Sequence, residues 1–342
     1  MMLPEAGYDR DTRFILAHHQ PVGLIDLARS RSIDSHRLLK GCELFYEDIV
    51  TRQVRISPEQ FLRLIGNAQR LLDAPDTSFL LGQRLWPGHY GPVSQLLEHA
   101  DNLAQAIEYL GQYRALLTPL LTPQVQLDER HLHLYWRDSC GVGELLPFVI
   151  ETTVTAVVAL ARRQQGTKLP WHFQFAYPEP AHVEQYWVHL GETVLFDRPS
   201  TVISLPREYL HSPWPGVGST AGVIARQASQ EQLQALGWGI SFLDQVHDYL
   251  QAHIRTPLNL ERACAAFETS PASFKRRLKK HDTTFQEQLD VVRREVALYL
   301  YQMKGYSNEE VAQYLGFNDI TNFRRSFKRW TGLTPSSVAA FF

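Results

Sequence analysis

Two stretches of this chain carry side chains in a pattern that could act on an anionic polymer. TSPASFKRRLKK occupies residues 269–280 and NDITNFRRSFKR occupies residues 318–329. Each opens on a residue able to cap a helix, Ser270 or Asp319, and places an aromatic four positions later, Phe274 or Phe323. Paired bases follow: Lys275, Arg276, Lys279 and Lys280 after Ala272 in the first stretch, and Arg324, Arg325, Lys328 and Arg329 after Thr321 in the second. Rows of Lys and Arg on one helix can hold phosphates in register, and Arg can fork onto guanine edges. A single such stretch is explained as well by a solvated basic face. Two in matching register point to double-stranded DNA as the partner.

The elements that must position these bases can be read from the flanking residues. The second stretch follows SNEEVAQYLGF, in which Ser307 and Glu310 form a capping box, Val311, Ala312 and Leu315 face inward, and Gly316 supplies a turn. The first follows Leu260, Ala263, Cys264 and Phe267 at helical spacing. A short helix, a tight turn and a second short helix with a buried aromatic make a helix-turn-helix, whose second helix enters the major groove. Between the two units, Phe285, Leu289, Val292, Val296, Leu300 and Met303 line one side of a long helix that Gly305 ends. A spacer of roughly 18 residues could hold the two recognition helices about one duplex turn, ~34 Å, apart. Everything after Gly239 reads as helix, with several of the helices short, and about seven are expected.

Upstream the pattern is mixed. Pro58 to Leu72 and Asn102 to Leu117 read as helices, and Gln124 to Arg137 as a hairpin turning at Asp128-Glu129-Arg130. Val125, Leu127, Leu132, Leu134 and Trp136 would share its one buried face. Trp171 to Tyr177 and Thr201 to Leu205 read as further strands. HSPWPGVGSTAG, residues 211–222, breaks regular structure, and a connecting helix through Val223, Leu233 and Leu236 ends at Gly237. The expected architecture is an α+β domain over 1–211, a linker with a connecting helix over 212–238, and an all-α domain with two helix-turn-helix motifs over 239–342.

Composition narrows the function. The chain has 342 residues with a net charge of −2, yet the part from Trp238 onward carries +3 and the rest −5. Cys42, Cys140 and Cys264 lie too far apart for a disulfide framework or a zinc site, which suits a reducing cytoplasm. The start lacks a secretory pattern, and the apolar run Leu145 to Ala161 is shorter than the ~20 residues of a membrane span, so a buried helix is expected and no membrane partner. No nucleophile elbow, phosphate-binding loop or zinc-protease motif appears, so neither catalytic residues nor a cofactor is expected. The alternative is an enzyme of unrecognised chemistry that docks on DNA. His131 and His133 share a strand face, but no third ligand accompanies them, and a plain exposed pair is expected instead of a metal site. Trp86, His89 and Tyr90, in RLWPGHYG, could wall a ligand pocket; core packing is the simpler account of them. Many aromatics and no Arg cluster in this half suggest a small, largely apolar effector.

Residues about 240 to 342 resemble the DNA-binding domain of the AraC/XylS family of bacterial transcription regulators. The resemblance is carried above all by GFNDITNFRRSFKRWTGLTPSSV at 316–338, with Gly316, Phe317, Phe323, Phe327, Lys328, Gly332, Thr334 and Pro335 in place. It implies that Ala272, Lys275 and Arg276 on the first recognition helix, and Ile320, Thr321 and Arg325 on the second, read bases. Departures are the missing glycine in Phe267-Glu268-Thr269, Arg293-Arg294, and the tail VAAFF. FLRLIGNAQRLL, LGQRLWPGHYG and ETVLFDRPSTVISLP are similar to the arabinose-binding-like amino-terminal domain of one subgroup. That likeness implies a small-molecule effector, a homodimer formed through this half, and RNA polymerase as a further partner.

Overall fold

The computed structural model describes residues 7–52, 54–215, 218–339 and 341. They divide into two compact units: Arg10–Ile240, and Ser241–Phe342 together with the described part of Met1–Asp9.

The larger unit is α+β. A short antiparallel ribbon pairs β1 (Ile15–Leu16) with β2 (Arg55–Ile56). The main sheet contains β3 (Leu121–Leu127), β4 (His131–Asp138), β5 (His172–Gln174), β6 (Val194–Leu195) and β7 (Val202–Pro206), in the order β3-β4-β7-β5-β6. All neighbours are antiparallel except β5 with β6. The expected hairpin is present, turned by the Asp128 side chain, which accepts from the N–H groups of Arg130 and His131. Its buried face is only half as extensive as expected. Leu132 and Leu134 of β4 are buried, but their partners Leu127 and Val125 toward the end of β3 are exposed, at 48% and 47%, whereas Leu121 and Thr122 at its start are buried. Trp136 is half-buried. His133 also departs from the exposed pair expected of it: it is buried and its two ring nitrogens meet Ser204 Oγ and Asp128 Oδ2, both at 2.8 Å. Burial alone would raise the Asp128 pKa, but the hydrogen bonds from His133 and the two backbone N–H groups hold it down at about 2.

The apolar run forms the helix Leu146–Gln165, which carries Pro at its start and ends at Gly166 in the left-handed region (φ 71°). It is buried along most of its length, as a core helix. The helix Thr77–Leu85 packs closely on it at Gly82, where a Cβ would come within 2.5 Å of the Thr152 carbonyl. Glu151 on this helix is buried yet satisfied: Ser78 Oγ donates to it at 2.6 Å, the Tyr186 hydroxyl also donates, and His182 Nε2 lies at 3.2 Å. The hydrogen bond to Glu151 raises the His182 pKa. The connecting helix, Thr220–Leu236, belongs to this unit and packs through Ala225 and Ser229, with Arg226 donating to the Tyr109 hydroxyl at 2.9 Å.

The smaller unit has seven helices among its described residues: Phe242–Ala252, Leu260–Ala266, Pro271–Lys280, Phe285–Lys304, Asn308–Tyr314, Ile320–Thr331 and Pro335–Ala339. Local side chains set most of the starts. Ser241, Asn259, Ser270, Thr284, Ser307 and Asp319 each accept from an N–H of the first turn. The sequence places residues 7–9 in the amino-terminal domain; here they pack with the carboxy-terminal helices instead. Tyr8 is buried, pairs with Ser241, and its carbonyl accepts from Phe242 N–H at 2.9 Å.

Candidate nucleic-acid interface and effector cavity

Each recognition helix has one face fastened to the core and the other in solvent. In Pro271–Lys280, Phe274 and Leu278 are buried at 1% exposure. Phe274 packs edge-to-face against Phe242 and Phe267, with ring centroids 5.5 and 5.3 Å apart. Ala272, Lys275, Arg276, Lys279 and Lys280 are all exposed, on the side opposite Phe274 and Leu278. In Ile320–Thr331 the buried pair is Phe323 and Phe327, both at 0% exposure, with Phe317, Tyr301 and Trp330 around them. Thr321, Arg324, Arg325, Lys328 and Arg329 are exposed, and Ile320 is half-buried at the helix start. Asp319 caps this helix. The N–H groups of Thr321 and Asn322 stabilise its charge and keep its pKa below the usual carboxylate value.

Several supporting residues were not apparent from sequence. Arg277 follows Arg276 but lies 100° further round the helix, toward the core side. Its guanidinium stacks over the Phe242 ring at 4.0 Å, its Nε donates to Asp9 Oδ1 at 2.6 Å, and one terminal nitrogen donates to the Gly7 carbonyl at 2.7 Å. His281, fully buried, brings Nε2 within 3.4 Å of the same Asp9 oxygen. Burial would raise the Asp9 pKa, but the hydrogen bonds from His281 and Arg277 outweigh it and the net shift is downward. In the second unit Arg329 reaches back to Asp290 at 2.8 Å, so it has a structural contact as well as an exposed position. Arg293 lies over the Phe317 ring at 5.5 Å and thereby covers the turn. A helical wheel would have separated Arg277 from its neighbours. Nothing local would have named Asp9.

The larger unit holds an apolar cavity, lined among others by Phe61, Ile65, Leu81, Trp86, Leu121 and Phe148. Of the three side chains that could wall a pocket, for which core packing is the simpler account, only Trp86 lines it. Tyr90 is buried elsewhere, with its ring 5.2 Å from that of His19, and His89 is exposed. Among the described residues no cluster of His, Cys, Asp and Glu suited to a metal ion occurs.

Residues 33–214 match the arabinose-binding domain of AraC transcription regulators, and residues 263–340 match a helix-turn-helix domain. Over 314 residues the chain is 30% identical to the ornithine utilization regulator of Pseudomonas aeruginosa, spanning 92% of this chain and 93% of that protein. The chain belongs to the AraC family of transcription regulators. This AraC family member is also 24% identical over 302 residues to the regulator VirS of Mycobacterium tuberculosis, spanning 82% and 83% of the two chains. It is a DNA-binding regulator with an arabinose-binding-type amino-terminal domain and a helix-turn-helix carboxy-terminal domain, not an enzyme, and the DNA-docking enzyme is set aside.

Proposed function

We propose that this regulator grips two successive major grooves with its tandem recognition helices and is controlled by a small, largely apolar effector held in the amino-terminal half. Residues 239–342 serve as the DNA-binding domain, 1–211 as the sensing and dimerisation domain, and 212–238 as the connection. Lys275, Arg276, Ile320, Thr321 and Arg325 face bases, with Ala272 giving close approach, while Lys279, Lys280, Arg324, Lys328 and Arg329 face phosphates. The observation that carries this reading is the repeated arrangement of a buried aromatic backed by an exposed basic face, Phe274 and Phe323 each opposite its own row of Lys and Arg. The site of action is the cytoplasm, as a homodimer that contacts RNA polymerase at the promoter. The effector acts by binding one state of the regulator better than the other, since equal affinity would shift nothing. The Pseudomonas aeruginosa relative is named for ornithine utilization. The cavity here has no charged residue to meet an amino acid, which supports an apolar effector instead.

Selection of bound duplexes from a random pool, using the full chain, tests the DNA reading and returns the half-site spacing. On the selected site, Arg325→Ala is expected to cost ~1–3 kcal/mol and blur base preference, whereas Lys280→Ala weakens all sequences alike and lowers the salt dependence. If both leave binding unchanged, the helix assignment is wrong.

A further inference from the structure

Set 49 residues apart, the two recognition helices match in what they bury and what they expose. Phe274 and Leu278 fall on Phe323 and Phe327, all four buried, and each exposed Lys or Arg of the first helix falls on an exposed Lys or Arg of the second. The position about 180° round from the middle of each buried pair is Arg276 in the first copy and Arg325 in the second. Both are arginine. Neither guanidinium makes a hydrogen bond or salt bridge among the described residues, whereas Arg277 is held by Asp9 and Arg329 by Asp290. One turn nearer the helix start, beside the same stripe, stand Ala272 and Thr321, both exposed. Beyond the Cα and Cβ framework, all that these two side chains can offer in common is an apolar methyl.

The first turns of a recognition helix are the part that meets base edges in the major groove. There an arginine forks onto guanine O6 and N7, and the methyl of Ala or Thr packs on the C5 methyl of thymine. Adenine is read by an amide, and the only amide in either helix, Asn322, has Ser273 as its counterpart, so that contact is not shared. Four residues span ~6 Å of helix and base pairs stack ~3.4 Å apart, so the two positions reach base pairs no more than about two steps apart. We propose that each recognition helix reads the same two bases: a guanine taken by Arg276 or Arg325 and, within two base pairs of it, a thymine whose methyl packs on Ala272 or Thr321. The site of one chain therefore carries this doublet twice. The proposal rests on the DNA reading above and names the sequence that reading leaves open.

The test uses the full-length regulator and the duplex recovered by selection. Single guanines are replaced by 7-deazaguanine, which lacks the N7 acceptor, and single thymines by deoxyuridine, which lacks the methyl. Each half-site should hold one guanine whose replacement weakens binding at least about fivefold, and one thymine whose replacement weakens it about threefold. Variants at exposed positions assign each loss to a helix. In Arg325→Ala the 7-deazaguanine loss disappears from one half-site, and in Arg276→Ala from the other. Thr321→Ser keeps the hydroxyl but not the methyl, so it should bind thymine and deoxyuridine duplexes equally at its own half-site while the other half-site still discriminates. Sensitive bases in only one half-site, losses that persist in the matching variant, or a sensitive thymine more than two base pairs from its guanine overturn the doublet and leave the DNA reading standing. Failure of the chain to enrich any duplex overturns both.

Discussion

In both helix-turn-helix units the leading helix closes in the same turn. Thr269 N–H donates to the Cys264 carbonyl at 3.0 Å, and Phe317 N–H to the Ala312 carbonyl at 2.9 Å. The left-handed position of that turn is Glu268 in the first unit, at φ 49°, and Gly316 in the second, at φ 74°. The second turn is one residue longer: the leading helices start 48 residues apart, at Leu260 and Asn308, and the recognition helices 49 apart, at Pro271 and Ile320. Beyond the turns the supports diverge. The first recognition helix is tied to Asp9, 268 residues away from Arg277, and the second to Asp290, 39 residues away from Arg329. A repeat thus preserves cap, turn and buried aromatic, which are local, while each copy takes its outer brace from whatever segment lies against it.

The largest effect that could break this comparison is loss of an anchor. Phe274→Ala and Phe323→Ala should each cost ~3–5 kcal/mol in urea unfolding of the DNA-binding unit, with DNA affinity falling in parallel. A cost below ~1 kcal/mol at either position would show that the two copies are not equivalent. The braces should differ next. Asp9→Asn leaves Arg277 and His281 without a charged partner and is expected to cost ~1–3 kcal/mol, against less than ~1 kcal/mol for Asp290→Asn, whose partner Arg329 is largely exposed. Because folding lowers the Asp9 pKa from 3.8, its contribution is present above pH 3.8 and is lost as pH falls through the lower folded value. Urea midpoints of wild type and Asp9→Asn should therefore converge only in strong acid. The smallest effects are in the turns and have opposite signs. Glu268→Gly should stabilise by ~1 kcal/mol and Gly316→Ala should destabilise by about the same, since the only change is the strain of a left-handed backbone. Thermal melts of the two variants that shift in the same direction would show that the turns are not alike.

Features governed by near neighbours in the chain were legible beforehand. The Ser307–Glu310 capping box, the Asp319 cap, the Gly305 stop and the Asp128 turn all act within four residues of themselves, so spacing reveals them. The exposed row Lys275, Arg276 and Lys279 also follows from helical spacing, given the buried Phe274. What escaped depends on distant partners. His133 is buried because β7 brings Ser204 to it from 71 residues away, and Glu151 is tolerated in a core helix only because Ser78, His182 and Tyr186 converge on it. Val125 and Leu127 alternate as a buried strand would, yet only the start of β3, at Leu121 and Thr122, is buried, which the alternation cannot reveal. The pocket was half legible for the same reason. Trp86, His89 and Tyr90 are adjacent in a loop, but the cavity that selects Trp86 is made by helices and a strand the loop cannot specify.

The segment joining the two recognition units is a single uninterrupted helix, Phe285–Lys304, with neither glycine nor proline inside it. Its 20 residues make a rod ~30 Å long. If both recognition helices contact DNA as proposed, a rod without an internal hinge calls for two contact blocks at a set phase around the duplex. Inserting about five base pairs between them, half a helical turn, would swing one block to the far side of the DNA, where the protein cannot follow, whereas about ten would restore the face but overstretch the reach.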